Sequence, residues 1–269
     1  MTFSFHKMHG LGNDFIILDA RKTPIQMNAA RAQALSNRHT GIGCDQLIII
    51  GTGDEQADVS MQIWNADGSE VEACGNATRC VPVFIGHDVI IRTAAGLLDA
   101  RLADEGACVD MGQPRFSWQE IPLEYAMDTL ALPVAWGNLK QPTAVNIGNP
   151  HLVFVVEDVD AIDFGQLGPI IEYDPLFPER INVNIVMVVG KNHLKMRTWE
   201  RGAGLTRACG TGACATFAVT KKRGLVSGKT LIDLPGGQLL LNDNEKGHII
   251  MQGPAQYVFK GEADWANFS

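Results

Sequence analysis

The stretch of sequence that decides the fold is Trp199-Glu-Arg-Gly-Ala-Gly-Leu-Thr-Arg-Ala-Cys-Gly-Thr-Gly-Ala-Cys-Ala-Thr216. Residues 210–222 are rich in alanine, lack proline and end in basic residues before Gly224, a pattern that predicts a helix. Cys209 therefore stands at a predicted helix N-terminus, where unpaired N–H groups and the helix dipole favour a thiolate and can hold a carboxylate. Taken alone, such a stretch is more often a buried structural cysteine than a reactive one.

The same pattern occurs a second time, upstream, at a nearly constant offset. Its landmarks are Met61, Trp64, Asn65 and Cys74, which lie 135 positions before Met196, Trp199, Glu200 and Cys209, and Gly12-Asn13 and Gln46, which lie 136 positions before Gly148-Asn149 and Asn182. A constant offset over several elements indicates an internal repeat, in which the two halves of the chain adopt the same fold. We expect two similar domains that place their two thiols around one small cleft.

Composition excludes several classes of protein. The chain has 269 residues, of which 46% are hydrophobic and 19% charged, which suffices for two cores. A net charge of −8 and the absence of a large basic cluster argue against a nucleic-acid-binding protein. No hydrophobic run is long enough to span a membrane, and the N-terminus lacks a signal-peptide pattern. We therefore expect a cytoplasmic protein that contacts neither nucleic acid nor membrane.

The six cysteines do not form a metal or disulfide pattern. Cys74 and Cys80 are six positions apart and Cys209 and Cys214 are five apart, so neither pair shares a helix face or forms Cys-x-x-Cys. Six cysteines are also too few for a disulfide scaffold of this length. We expect no metal, and we expect the other four, Cys44, Cys80, Cys108 and Cys214, to be small buried side chains.

Each copy has the pattern of a largely antiparallel sheet with one principal helix, an α+β arrangement. We expect an N-terminal domain over residues 1–115 and a C-terminal domain over 116–255, with the tail 256–269 returning to the first. Asn28 can cap a helix through about residue 37. Pro82 is expected to end or kink the helix that starts at Cys74, because proline lacks an N–H and clashes with the preceding turn.

Two equivalent thiols suit proton transfer by two bases. One cysteine, as thiolate, removes a proton from a carbon acid, and the other, as thiol, returns a proton to the opposite face, which inverts the carbon. A hydrolase with a single nucleophile would not need the duplication. No Gly-x-Gly-x-x-Gly or Walker loop is present, and no lysine motif marks a pyridoxal phosphate site, so helix N-termini must stabilise much of the developing charge.

Together, eight segments closely resemble diaminopimelate epimerase. They are His9-Gly-Leu-Gly-Asn-Asp-Phe15, Gly41-Ile-Gly-Cys-Asp-Gln46, Asn65-Ala-Asp-Gly-Ser-Glu70, Ala73-Cys-Gly-Asn76, Gly148-Asn-Pro-His151, Phe177-Pro-Glu-Arg-Ile-Asn182, Glu200-Arg-Gly-Ala-Gly204 and Ala208-Cys-Gly-Thr-Gly-Ala-Cys214. The resemblance implies interconversion of LL- and meso-diaminopimelate, on the route to lysine and peptidoglycan, without cofactor or metal. It also implies a homodimer and two pseudo-symmetric domains of α/β type, each a sheet wrapped around a central helix, with the site between them.

The resemblance assigns roles by position. Cys74 and Cys209 would be the acid/base pair, and His151 and Glu200 would tune the pKa values of the two thiols. The substrate-binding residues would be Asn13, Gln46, Asn65, Gly75, Asn76, Asn149, Asn182, Glu200, Arg201, Gly210 and Thr211. The family pattern after the first cysteine is Gly-Asn-Gly-x-Arg-Cys, whereas this chain has Gly75-Asn-Ala-Thr-Arg-Cys80. This departure and Pro82 put the length of the first helix in doubt, but they alter no mapped ligand.

Two alternatives remain open on sequence alone. Another cofactor-independent amino-acid racemase of the same superfamily, such as a proline racemase, would use the same cysteine pair but would leave Asn65, Asn182 and Arg201 without a purpose. A non-catalytic amino-acid-binding protein would explain a cleft but not two thiols at equivalent helix starts. The isomerases of the phenazine branch do not use the cysteine pair.

Overall fold

The computed structural model describes residues 1–72 and 74–268. Ala73, in the motif around the first cysteine, and Ser269, at the end of the predicted tail, lie outside the described residues. Contacts divide the chain into two compact units. None of the helices within the described ranges is long and apolar enough to cross a membrane.

Unit 1 contains Met1–Val109 and the segment from Gln252 onward. Its strands are β1 Thr2–Gly10, β2 Asn13–Asp19, β3 Gln46–Thr52, β4 Val59–Asn65, β5 Glu70–Val71, β6 Val89–Thr93, β7 Gly96–Ala103 and β8 Gly106–Asp110, and its helices are α1 Ala29–Ser36 and α2 Gly75–Ile85. Most pairings are antiparallel, whereas β2–β3 and β4–β6 are parallel. The two helices supply the crossovers that parallel pairs require.

Unit 2 is Asp110–Met251. Its strands are β9 Ala135–Trp136, β10 Leu139–Lys140, β11 Thr143–Asn146, β12 Pro150–Val155, β13 Asn182–Gly190, β14 His193–Glu200, β15 Gly204–Thr206, β16 Thr230–Leu234, β17 Gly237–Asp243 and β18 Ile249–Gly253, and its helices are α3 Phe164–Glu172 and α4 Gly210–Lys222. The parallel pairs are β12–β13 and β14–β16, with α3 and α4 as the crossovers.

A last strand completes unit 1. β19, Gln256–Asp264, pairs antiparallel with β1 along nearly its whole length and is followed by a short 3₁₀ helix. The ring of Trp265 stacks on that of Phe3 with centroids 3.9 Å apart, and Phe268 packs against the same phenylalanine. These contacts add to the buried core formed by β1, β2, β3 and α1.

The two units repeat the same strand register. In unit 1, Phe15 pairs with Gln46 across parallel strands, and in unit 2 His151 pairs with Asn182 in the same way. The pairing of Trp64 with Glu70 likewise recurs 135 positions later in β14 and β15. The α+β class, with one principal helix per copy, is therefore confirmed.

Of the two outcomes expected at Pro82, an end or a kink of the helix, the end is wrong. α2 continues to Ile85, and Gly86 follows in the left-handed conformation, its N–H bonded to the Pro82 carbonyl. Pro82 is buried, so its ring adds packing where it removes a backbone hydrogen bond. Glycine at the C-terminal cap, rather than the proline, ends the helix. Asn28 does cap α1, because its side chain accepts from the Arg31 N–H.

One of the four cysteines expected to be buried is not. Cys44, Cys80 and Cys214 lie in the cores, whereas Cys108 on β8 is only half-buried. Burial raises the pKa of the Cys44 thiol to about 11 and that of the Cys80 thiol to about 12. These two side chains therefore stay protonated at neutral pH and act as small apolar groups.

Candidate active site

Cys209 is the N-cap residue of α4, as the sequence predicts, and its side chain is 3% exposed. The sulfur accepts a hydrogen bond from the Gly212 N–H at 3.4 Å and donates one to Oε2 of Glu200 at 3.1 Å. Oγ1 of Thr211 lies 3.5 Å from the same sulfur. Gly210 and Thr211 form the first turn of the helix, where backbone N–H groups have no partner within the helix.

The expectation that the helix N-terminus makes Cys209 a thiolate is not met by this environment. Burial and the negative charge of Glu200 raise the pKa of Cys209 well above its ordinary value, and together they outweigh the hydrogen bonds from Thr211 and Gly212. A buried thiolate beside a carboxylate would place two like charges in a medium of low dielectric constant. Cys209 is therefore a proton donor in this state.

His151 and Asn149 extend the polar surroundings of the Cys209 thiol. Nε2 of His151 lies 2.9 Å from Oδ1 of Asn149, and Nδ2 of Asn149 donates to Oγ1 of Thr211 at 3.4 Å. His151 is fully buried, and its burial, with the charge of Arg201, lowers its pKa to about 3. His151 is thus neutral at physiological pH and reaches the thiol only through two intervening side chains.

Asn182, on the strand parallel to β12, is engaged with backbone at both ends of its amide. Its Nδ2 donates to the Pro150 carbonyl at 2.9 Å, and its Oδ1 accepts from the Arg201 N–H at 3.0 Å. The Arg201 guanidinium is exposed and donates to the Glu179 carbonyl at 2.8 Å. Asn182 thus holds the backbone that presents Arg201, whose fork of donors suits a carboxylate.

In unit 1, Cys74 is the N-cap residue of α2, in the same extended conformation as Cys209, and is partly exposed. Gly75 and Asn76 form the first turn of α2 and are buried. Nδ2 of Asn76 donates to Oδ1 of Asn13 at 3.2 Å. Asn76 and Asn13 are therefore in contact, as Thr211 and Asn149 are in unit 2.

A charged cluster fixes the other end of the Asn13 amide. Nδ2 of Asn13 donates to Oδ2 of Asp45 at 3.0 Å, and Arg38 bridges Asp45 and Asp14 at 2.7 and 2.6 Å. Lys7 contacts the second oxygen of Asp14 at 2.5 Å. Burial opposes ionisation of Asp14, but the hydrogen bonds and charges of Arg38 and Lys7 hold its pKa well below its usual range. The cluster orients Asn13 through its hydrogen bond to the Asp45 carboxylate.

Gln46 and Asn65 lie side by side. Nε2 of Gln46 donates to Oδ1 of Asn65 at 3.0 Å, and Nδ2 of Asn65 donates to Oγ of Ser69 at 3.0 Å. Within residues 1–72 and 74–268, Oε1 of Gln46 is buried and meets no hydrogen-bond donor. A buried acceptor costs free energy unless a donor reaches it, so a ligand with an N–H or O–H group suits this position.

Three further side chains belong to this polar framework, although no role was predicted for them. Asp45 lies in the quoted glycine loop, and Arg79, fully buried in α2, donates to Oδ1 of Asn76 at 2.9 Å. Asn184 lies under the first turn of α4 and contacts His151. The last could have been found, because Asn182 and Asn184 alternate along an apolar strand and so share one face.

In each unit, then, a cysteine precedes a helix whose first residues offer backbone N–H groups. An asparagine side chain contacts the first turn of that helix. This set of groups can donate and accept a proton at carbon while hydrogen-bonding a carboxylate. Among the described residues, no group of three or more His, Cys, Asp and Glu side chains is arranged to hold a metal ion.

Comparisons with solved structures bear on the fold. A hydroxyproline epimerase from Agrobacterium vitis superposes with a TM-score of 0.66 at 17% identity, covering 97% of this chain and 91% of that one. A phenazine biosynthesis protein of the PhzF family from Bacillus anthracis gives 0.68 at 15% identity, covering 98% and 99%. At these identities the likeness establishes the fold alone.

Sequence comparisons bear on the family. The family model described as diaminopimelate epimerase matches residues 5–117 and 143–258. Proteins with that name are 82% identical in Zymomonas mobilis subsp. mobilis and 56% identical in Erythrobacter litoralis, in both cases over all of this chain and all of the relative. The resemblance predicted from the motifs is confirmed, and the chain belongs to the diaminopimelate epimerase family.

Proposed function

We propose that this isomerase interconverts LL- and meso-diaminopimelate with Cys74 and Cys209 as its two acid/base groups. One sulfur, as thiolate, removes the α-proton, and the other, as thiol, delivers a proton to the opposite face of the same carbon. The carbon leaves with inverted configuration, and the two sulfurs have exchanged protonation states. The reaction moves protons only and includes no group transfer and no redox step, so it balances with the substrate alone.

The observation that carries this proposal is the repeated helix start. Cys74-Gly75-Asn76 and Cys209-Gly210-Thr211 occupy the cap and the first two positions of α2 and α4. A carboxylate held by such N–H groups places its α-carbon next to the capping sulfur, and the same dipoles stabilise charge that develops on the carboxylate during proton removal. Asn13 and Asn149, each held in orientation by neighbours, are proposed to bind the reacting half of the substrate.

Glu200 supports the assignment of protonation states. Its carboxylate accepts a hydrogen bond from the Cys209 thiol in this structure, so we propose that Cys209 starts as the acid. When Cys209 instead acts as the base, the thiolate is left with the donors Thr211 and Gly212. We propose that Glu200 adjusts the pKa of Cys209 directly, whereas His151 acts through Asn149 and Thr211.

We propose that Gln46, Asn65, Asn182 and Arg201 select the distal half of the substrate. That half carries an ammonium and a second carboxylate. The unpaired Oε1 of Gln46 suits the ammonium, and the exposed Arg201 guanidinium suits the carboxylate. A site built from polar groups rejects analogues that leave those groups unpaired.

We further propose that the enzyme consists of domains 1–115 and 116–255 with the tail 256–269 in the first, and that it acts as a cytoplasmic homodimer. The exposed strand β19 supports the dimer. Tyr257, Val258 and Phe259 are consecutive and between 47% and 52% exposed, which is unusual for large apolar side chains on a regular strand.

The test is stereochemical. Purified protein with a thiol reductant and no pyridoxal phosphate is incubated with LL-diaminopimelate, and chiral chromatography follows the meso isomer. The proposal expects an equilibrium mixture from either isomer and a kcat/KM on lysine at least about a thousandfold lower, because lysine lacks the distal carboxylate. Comparable kcat/KM on lysine or proline would instead favour a broad-specificity racemase, and Arg201→Met should then have little effect.

A further inference from the structure

Asn184 is a buried asparagine on β13 that makes three hydrogen bonds. Its Nδ2 lies 2.9 Å from the Leu152 carbonyl oxygen and 3.1 Å from Nδ1 of His151. Its Oδ1 accepts from Oγ1 of Thr198 at 3.0 Å. The side chain has no exposed surface. All three of these hydrogen bonds join the Asn184 side chain to residues of unit 2.

These contacts allow only one orientation of the Asn184 amide. A backbone carbonyl is an acceptor and cannot donate, so the group facing Leu152 must be the NH₂. The second N–H of that NH₂ then points at Nδ1 of His151, which must accept it. A neutral imidazole with an accepting Nδ1 carries its proton on Nε2.

The proton on Nε2 sets the direction of the next two hydrogen bonds. Nε2–H donates to Oδ1 of Asn149, which leaves the Asn149 NH₂ to donate to Oγ1 of Thr211. Thr211 then has its hydroxyl hydrogen available for the Cys209 sulfur. The opposite tautomer would turn the Asn149 amide around, and Thr211 would donate to Asn149 instead of to sulfur.

We propose that Asn184 is a positioning residue that holds His151 in the Nε2–H tautomer and thereby aims the Thr211 hydroxyl at the Cys209 sulfur. This inference rests on the proposed role of Cys209 in the reaction. It concerns a residue that touches neither substrate nor sulfur. Its effect is greatest when Cys209 is a thiolate, because a hydroxyl donor stabilises the anion more than the thiol.

Two observations support a fixed rather than an adjustable role. His151 has a pKa of about 3, lowered by burial and by the charge of Arg201, so the imidazole does not change protonation in the physiological range. The first turn of α4 also packs directly on Asn184, because a Cβ at Gly212 would lie 2.5 Å from its Oδ1. The Asn184 side chain is therefore closely packed, and its hydrogen bonds fix the orientation of the amide.

The first experiment reads the tautomer without using turnover. Two-bond ¹H–¹⁵N correlation spectra of ¹⁵N-histidine-labelled wild-type protein, assigned with His151→Gln, report which ring nitrogen bears the proton. We expect Nε2 to be protonated in the wild type and Nδ1 in Asn184→Asp, since a carboxylate only accepts. A wild-type His151 protonated at Nδ1 would overturn the inference, even if Asn184→Asp failed to fold.

The second experiment uses kinetics on diaminopimelate. Asn184→Asp should lower kcat by at least about tenfold and change KM by less than about threefold, because the lost interaction concerns the transferring proton. Thr143→Val is the matched control, since it also deletes a buried hydrogen bond to a backbone carbonyl in unit 2. Equal losses of kcat in both variants would reduce Asn184 to a structural role. Absence of wild-type turnover would sink the proposed function but leave the tautomer measurement intact.

Discussion

The Cys209 thiol donates a hydrogen bond to Oε2 of Glu200, with the sulfur and the oxygen 3.1 Å apart. The two groups are nine positions apart in sequence and meet because β14 ends at Glu200 and α4 begins after Cys209. A carboxylate at this distance keeps the proton on sulfur, whereas a positive neighbour would release it. The contact therefore holds Cys209 in the thiol form.

Glu200→Gln tests that contact. Removing the carboxylate charge should lower the pKa of Cys209, because that charge contributes to raising it. Cys209 should then react faster with iodoacetamide at pH 8, as followed by mass spectrometry of the alkylated peptide. Turnover should nevertheless fall, since the carboxylate that keeps the proton on Cys209 is gone. An unchanged or slower alkylation of Cys209 would show that burial alone sets its pKa.

Cys74→Ala and Cys209→Ala test the pair itself. Inversion needs a donor and an acceptor on opposite faces of the carbon, so each substitution should abolish epimerisation while circular dichroism shows a folded protein. Cys44→Ala is the control, because Cys44 is buried in the unit 1 core and contacts Ser36 rather than any proposed ligand. The two-thiol assignment fails if either folded variant turns over at near the wild-type rate.

The sequence predicted most of the fold because the repeat constrains it twice. The repeat predicted two largely antiparallel sheets, each with one principal helix and an equivalent cysteine at its start, and Asn28 predicted the start of α1. Pro82 misled because an isolated proline has a known local cost, whereas the burial that offsets it depends on the packing around α2. Local rules set propensities, and tertiary contacts decide among them.

The protonation states of the site were harder to predict. Helix position alone favoured a Cys209 thiolate, but burial and Glu200 reverse that preference. Burial and the proximity of a residue nine positions away are properties of the folded chain, so periodicity does not report them. Alternation with Asn182 on an apolar strand places Asn184 on the same face, but the hydrogen-bond direction on which its proposed role depends is visible only in the folded chain.

Because His151 is buried as a neutral imidazole, the free energy of unfolding should fall in mild acid. Below pH 6.5 the unfolded chain binds a proton at this residue, whereas the folded chain does so only near its pKa of about 3. The stability contributed by neutral His151 is therefore present above pH 6.5 and is lost as pH falls. Between pH 7 and pH 5 the free energy of unfolding should drop by up to about 2 kcal/mol more in the wild type than in His151→Gln. Urea denaturation at both pH values measures this difference, and equal drops would contradict a buried neutral imidazole.

Gly212→Ala should be destabilising. The new Cβ would lie 2.5 Å from Oδ1 of Asn184 and 3.0 Å from Oγ1 of Thr198. Overpacking of this kind costs about 1–3 kcal/mol. Gly165→Ala is the matched control in the first turn of α3, where the nearest atoms lie 3.8 Å away, and it should be neutral or stabilising by up to about 1 kcal/mol. Urea denaturation compares the two, and a neutral Gly212→Ala would mean that the first turn of α4 can shift away from β13.

The pairing of β1 with β19 has a consequence for biosynthesis. Thr2 is opposite Asp264, so β1 leaves the ribosome long before β19, the strand that covers its second edge. Unit 2 is continuous in sequence and can close as soon as it emerges, whereas unit 1 cannot. Unit 1 is therefore begun before unit 2 and completed after it, and until then β1 offers an open strand edge, which is a template for pairing with other chains.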